Sequence, residues 1–236
     1  MEKVLTLLSF GDQGWGDELL QGAMVTISVA LATLPFGLTL GLLIALASRS
    51  KSRWISGFAT LYTTVFRGVP ELLTLYIIYF GGQILIQRLW SGLGFEGSLS
   101  ISPFLAGMVA LGLVLAAFSS EVWVGALNSI HIGQREGAAA LGLSRGQAFR
   151  LVVFPQLMRV ALPGLGNNWM VLLKETSLVS VITLHDIMFI ATRANVSTKE
   201  PFIFFSAALA LYFFFSLLSA WGIGRMETRL NRGYVR

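Results

Sequence analysis

The sequence has no cysteine, two histidines and only 29 charged residues in 236, 17 basic and 12 acidic. Each shortage excludes something. Without cysteine there is no disulfide framework, no thiolate nucleophile and no cysteine-ligated metal. His131 and His185 lie far apart in the chain and make no metal-ligand cluster. Charged residues are 12% of the chain, against roughly 25% in a soluble globular domain. That is too few to cover a water-soluble protein of this size, which excludes an ordinary soluble enzyme and a disordered chain. No G-x-x-x-x-G-K-[ST] segment is present, so nothing here forms the phosphate-cradling loop of an ATPase. What the chain has instead is apolar: 55% hydrophobic residues and a mean hydropathy of +0.72. The expected fold is a single all-α membrane domain. The net charge of +5 fits basic loops beside a membrane and gives no call for nucleic acid.

Three charge-free runs, 19–48, 97–120 and 201–224, are each long enough to cross a bilayer, which takes about 20 apolar residues. Two further apolar stretches are interrupted, one by Arg67, Pro70 and Glu71 and the other by Lys174 and Glu175. Five spans follow, at about 19–47, 56–86, 101–126, 162–183 and 201–224. Residues 1–18 lack a cleavage site of small residues and read as an extracytoplasmic tail anchored by Trp15. The loop charges set the orientation. On one side lie 11 basic residues: Arg49, Lys51, Arg53, Arg135, Arg145, Arg150, Arg159, Arg225, Arg229, Arg232 and Arg236. On the other lie 4, Lys3, Arg88, Arg193 and Lys199. Most of the acids, Asp12 among them, fall on that second side. This predicts the N-terminus outside and the C-terminus inside.

The inner loop 127–161 is too long for a simple connection. Its stretch 134–155 reads QREGAAALGLSRGQAFRLVVFP. Helix formers are followed by Gly142 and Gly146, and Leu141, Ala148, Phe149 and Val152 recur at roughly helical spacing. The pattern predicts a short helix, a glycine break and a second helix ended by Pro155. Such a pair lies either on lipid headgroups or against a cytoplasmic partner. Glu136-Gly137-Ala138, Gly142, and Val152-Val153-Phe154-Pro155 after a nine-residue gap resemble the EAA loop of ABC-importer permeases. Arg67-Gly68-Val69-Pro70-Glu71, Ser120-Glu121, Gly133-Gln134, Ala161-Leu162-Pro163-Gly164, Asn167-Asn168-Trp169 and the segment from Leu173-Lys174-Glu175 to Ser180 are similar to the polar amino-acid branch of that family. The acid after the R-G-x-P motif is similar to Q-type subunits of histidine, arginine and opine importers. Three positions depart from the pattern: Gly137 for Ala, His131 for Pro and Val124 for Arg.

The resemblance implies a type I importer permease with no ATP site of its own, ATP and Mg being held by a partner ATPase. It implies an M-type permease or a second copy of this chain, two ATP-binding subunits, a periplasmic amino-acid-binding protein and a multi-pass place in a bacterial inner membrane. Glu136, Gly137, Ala138, Ala139, Gly142, Phe149, Arg150 and Pro155 would be the coupling elements. Residues with charge or hydroxyls inside spans are candidates for the solute pathway. They are Arg67 and Glu71 at a helix break, and Lys174, Glu175, Thr176 and Ser177, whose opposite charges and hydroxyls suit a zwitterion. The residues alone leave structural ion pairs open at both places, including Arg67 with Glu71. Glu121 reads as a bundle or loop stabiliser. Gly37-x-x-x-Gly41 predicts close helix packing. Two rivals are an ion-coupled secondary amino-acid transporter, disfavoured by short length and the absence of a detectable inverted repeat, and an intramembrane enzyme, for which no nucleophile–base pair is evident. The matches 142–146 to G-x-S-x-G and 92–97 to G-x-G-x-x-G lack the strand contexts that those motifs need.

Overall fold

A computed structural model describes residues 2–11 and 14–232. Asp12 and Arg236, both used above to set the orientation, lie outside the described residues. The chain runs α1 (Glu2–Leu7), α2 (Gly16–Ser48), α3 (Arg53–Gly68), α4 (Glu71–Tyr76), a π turn at Ile77–Gly81, α5 (Gly82–Gly92) and α6 (Pro103–Ser129). It continues through α7 (Ile132–Ala140), α8 (Arg145–Ala148), a π turn at Phe149–Val153, α9 (Phe154–Glu175), a 3-10 segment at Thr176–Ile182, α10 (Ile187–Thr198) and α11 (Pro201–Asn231). No strand occurs among the described residues. Among the described residues, five helical stretches are long and apolar enough to cross a membrane: Gly16–Ser48, Glu71–Gly92, Pro103–Ser129, Arg145–Ile182 and Pro201–Asn231.

Two boundaries differ from expectation. The expected second span, 56–86, is two helices. Pro70 has no N–H and forces Val69 into extended backbone (φ −91°, ψ 134°), which ends α3. At 16 residues α3 reaches about 24 Å, short of the roughly 30 Å hydrocarbon core. The crossing helix by length and apolarity is 71–92. In the second case Pro155 does not end a helix. The wide turn before it shifts the hydrogen-bond register, so that Phe154 N–H reaches the Phe149 carbonyl. The helix absorbs the proline there and continues to Ile182.

The bundle is built around α2 and α6. Lipid offers apolar side chains no incentive to leave it, so helix pairs rely on close approach. Gly37 and Gly41 supply it, as their spacing predicts. A methyl at Gly41 would lie 2.8 Å from the Ala116 carbonyl, and one at Gly37 would lie 2.9 Å from the Leu115 Cβ. From the opposite helix, Phe36 fills the space left by Gly112. Val29, Leu75, Leu111, Leu115 and Leu172 close the core between α2, α4, α6 and α9. The N-terminal tail folds back on the same end of the bundle as α10. There Trp15 packs edge-on against Phe204 at 6.2 Å, so it anchors to protein. Lys3 pairs with Glu200.

Candidate functional sites: a loop at the end of α6 and a cavity at a helix break

The first site is the loop after α6. The helix α7 ends in two bonds that define a Schellman cap: Gly142 N–H to the Ala139 carbonyl at 2.9 Å and Leu143 N–H to the Ala138 carbonyl at 3.1 Å. Gly142 sits at φ +76° to allow this, so a glycine is required there. Ser144 and Gln147 then cap α8 reciprocally, at 2.9 and 3.4 Å. The Gln156 amide donates to Gln134 at 3.0 Å and ties α7 to the start of α9. Ala138 is buried, whereas Glu136, Gly137, Ala139, Arg150 and Pro155 are exposed. A methyl at Gly137 would meet nothing, so this departure from the family pattern costs helix propensity alone, about 1 kcal/mol. His131 precedes α7 in extended backbone without a side-chain cap. Val124 packs into the cluster of Ala45, Trp123 and Leu157. Between α7 and the π turn lies a cavity of about 520 Å³ lined by Arg135, Ala139, Leu143, Arg145, Phe149 and Val153. The loop thus offers exposed apolar groups, Leu141 and Phe149, beside arginines on a stiff, capped frame.

The second site lies at the α3–α4 break. A cavity of about 170 Å³ is lined by Glu71, Leu115, Phe118, Asn167, Asn168, Val171 and Glu175. It brings together two carboxylates that the sequence reading assigned to separate groups. Glu71 is the first residue of α4, where the helix dipole favours an anion. Glu175 is the last of α9, and Asn168, Val171 and Glu175 share one face of that helix, three and four residues apart. The Asn168 amide nitrogen is buried without a partner. Arg67 does not enter the cavity or pair with Glu71. It makes an ion pair with Glu121 at 3.3 Å and lies 5.8 Å over the Phe118 ring.

The Lys174–Ser177 group is dispersed rather than assembled. Lys174 and Ser177 border a different groove with Met188, Phe205, Leu209 and Tyr212. Thr176 is fully buried and donates to the Leu173 carbonyl at 2.7 Å. Adjacent residues on a helix point about 100° apart, so Lys174 and Glu175 border different openings, while Lys174 and Ser177, three residues apart, share one.

A polar cluster that the sequence reading missed ties α2, α10 and α11 together. Asp186 is fully buried, accepts from Phe189 N–H at 2.9 Å and from the Tyr212 hydroxyl at 3.3 Å. Beside it, Ile187 N–H donates to Thr26 Oγ1 at 3.2 Å. Burial pushes the Asp186 carboxyl up to about 6, with the Phe189 bond opposing. The signal in the sequence was only an aspartate three residues before Phe189, an N-cap spacing.

Comparison with known proteins adds an independent line. The family profile for the binding-protein-dependent transport system inner membrane component matches residues 37–232. The octopine transport system permease protein OccQ of Rhizobium meliloti is 40% identical over 232 residues, covering 98% of each chain. The histidine/lysine/arginine/ornithine transport system permease protein HisQ of Escherichia coli K12 is 37% identical over 223 residues, 94% of this chain and 97% of the relative. A crystal structure of an amino acid ABC transporter with histidines superimposes with a TM-score of 0.76 at 30% identity, covering 91% of this chain and 95% of that one. Nothing in these likenesses supports ion-coupled transport or enzymatic chemistry. The chain belongs to the family of binding-protein-dependent transport system inner membrane components and is a permease subunit of an ABC importer.

Proposed function

We propose that this permease imports basic amino acids or their opine derivatives, which approach the cavity at the α3–α4 break. The observation that carries the reading is the pairing of Glu71 and Glu175 in one lining with no basic side chain among its residues. Arg67 is engaged by Glu121 and Phe118, so it leaves the two acids to attract a cation. Paired carboxylates in a poorly hydrated site are costly without a counter-charge, and an ammonium or guanidinium supplies one. The free Asn168 amide can donate to the solute carboxylate. The relatives named for octopine and for histidine, lysine, arginine and ornithine are named for solutes that share a basic nitrogen group on the side chain, the group that the two acids would attract.

A cavity of about 170 Å³ is small beside the roughly 300–1,000 Å³ usual for ligand sites. It holds part of a solute, and a second permease chain completes the path, either an M-type partner or a copy of this one. The bias of loop charge supports the N-terminus outside and the C-terminus inside. The face with α7 then meets two ATPase subunits that hold ATP and Mg, and the face with α10 receives the solute from a periplasmic binding protein. Closure of the ATPase pair pushes on α7 and switches access to the cavity.

The test is uptake by the complete importer in proteoliposomes. The reading expects ATP-driven accumulation of arginine, histidine or octopine that ignores a proton uncoupler. Uptake that needs a proton gradient and no ATP, or a preference for acidic amino acids, overturns it.

A further inference from the structure

The loop between α2 and α3 carries basic side chains that this chain leaves unpaired. From Leu19 to Pro70 there is no aspartate or glutamate, yet Arg49, Lys51 and Arg53 fall within five residues. The Arg49 guanidinium donates to the Asn128 side-chain oxygen. Lys51 and Arg53 are exposed and meet no acid or acceptor among the described residues. Their depth is set by α2. Its charge-free run ends at Ser48, so the loop stands at the membrane boundary, and α3 turns back from there into the apolar layer.

The helix α3 has two faces. One packs on the bundle: the Ser56 hydroxyl donates to the Ser48 carbonyl at 3.0 Å, Ala59 is buried, and the Tyr62 hydroxyl donates to the Leu113 carbonyl at 2.8 Å. The other is bare. Trp54, Phe58, Leu61 and Val65 recur along it at steps of four, three and four residues, and Trp54 is 91% exposed. A groove of about 610 Å³ on this face is lined by Arg53, Trp54, Gly57, Phe58 and Leu61. Gly57 keeps it open, since a methyl there would meet nothing. From Arg53 to Leu61 the helix rises about 12 Å. The order along the groove is cation, indole, hydrocarbon, which complements the anionic head and acyl tail of a phospholipid. An apolar protein face would leave the two cations unpaired, and a zwitterionic lipid brings a cation of its own.

We infer that the groove at the start of α3 is a binding site for an anionic diacyl phospholipid. Arg53, with Lys51 two residues before it, holds the phosphate, and an acyl chain lies over Gly57 against Phe58 and Leu61. The site is separate from the solute cavity and independent of the direction of transport.

The experiment uses the complete importer in phosphatidylcholine bilayers. It is titrated with phosphatidylglycerol brominated on its acyl chains or with phosphatidylcholine brominated in the same way, since bromine quenches a nearby indole. Subtracting the signal of Trp54→Phe isolates Trp54 from the other tryptophans. Each basic group beside an anionic lipid contributes about fivefold, so Trp54 should be half-quenched at an about ten- to thirtyfold lower fraction of the phosphatidylglycerol. Lys51→Gln with Arg53→Gln should bring the two lipids within about twofold. Arg229→Gln with Arg232→Gln, the same loss of charge at the exposed end of α11, should leave the preference in place. Gly57→Leu fills the groove without a clash in this chain or a change of charge and should lower the preference. Equal quenching by the two lipids in the parent overturns the site. So do equal losses in the two arginine-bearing pairs, which would reveal only the general field of basic loops, and an unchanged preference in Gly57→Leu. Absence of quenching by either lipid would mean that protein covers this face, and it overturns the site as well.

Discussion

The loop after α6 and the cavity at the α3–α4 break are both departures from a regular helix, and they are built in opposite ways. The loop is local. Its frame is made by residues within 132–156: the cap at Gly142, the box of Ser144 with Gln147, and the tie from Gln156 to Gln134. The cavity is assembled from α4, α6 and α9, and its two acids come from distant parts of the chain. Coupling to an ATPase needs a stiff part that keeps its shape as it moves. Access to a solute needs walls that belong to different helices, because only walls on separate bodies can part.

Breaking the loop should have the larger effect. Glu136→Lys and Gly142→Asp are expected to leave insertion intact and to abolish coupled uptake while ATP hydrolysis continues, since Gly142 holds φ +76° and Glu136 is exposed on α7. Uptake per ATP hydrolysed in proteoliposomes measures this, and normal uptake by both variants contradicts the docking role.

Next comes the cavity. A hydrogen bond to a charged group contributes about 1.5–3 kcal/mol, so Glu175→Gln should lower arginine uptake about 10- to 100-fold. Lys174→Gln, one residue away but bordering another groove, should change it less than about threefold. Equal losses would return Lys174 and Glu175 to a single site.

The Asp186 cluster belongs to neither region and provides a reference. Its carboxyl is held up from 3.8 to about 6. Below about pH 4 folded and unfolded forms are both protonated and the group costs nothing. As pH rises toward 6 only the unfolded form ionises, stability falls, and the loss is complete above about 6. Asp186→Asn should therefore raise the unfolding temperature at pH 7.5, by an amount worth about 1–3 kcal/mol, with the gain vanishing below about pH 4. Thermal unfolding in detergent at both pH values measures it. The smallest effect expected is for Tyr62→Phe, which removes a 2.8 Å bond to the Leu113 carbonyl and should cost about 1 kcal/mol in the same assay with no change in solute preference.

The same contrast explains what the sequence made legible. Spans one, three and five are each built on a charge-free run, 19–48, 97–120 and 201–224, and the structure has the long apolar helices Gly16–Ser48, Pro103–Ser129 and Pro201–Asn231 there. The loop was readable because its glycines, alanines and capping residues are contiguous. The limits of span two were misplaced because hydropathy continues across Pro70 while the backbone does not. The cavity was half readable. Glu71 and Glu175 each stood out as intramembrane acids, but no periodicity links two residues on different helices. Grouping Lys174 with Glu175 followed sequence adjacency where helical spacing was the better guide; that spacing would have joined Glu175 to Val171 and Asn168. Asp186 carried no signal beyond its N-cap position, because its partners Tyr212 and Thr26 come from α11 and α2.

The central claim is that two acids at a helix break select a cation inside the membrane domain. The most direct measurement is solute binding to the assembled permease–ATPase complex without its binding protein, by titration calorimetry with arginine and with citrulline, its uncharged near-isostere. The expected result is at least about tenfold tighter binding of arginine, corresponding to about 1.4 kcal/mol, with the difference lost in Glu175→Gln. Equal binding of the two solutes by the parent complex, or a preference for arginine that survives the loss of both Glu71 and Glu175, would contradict it.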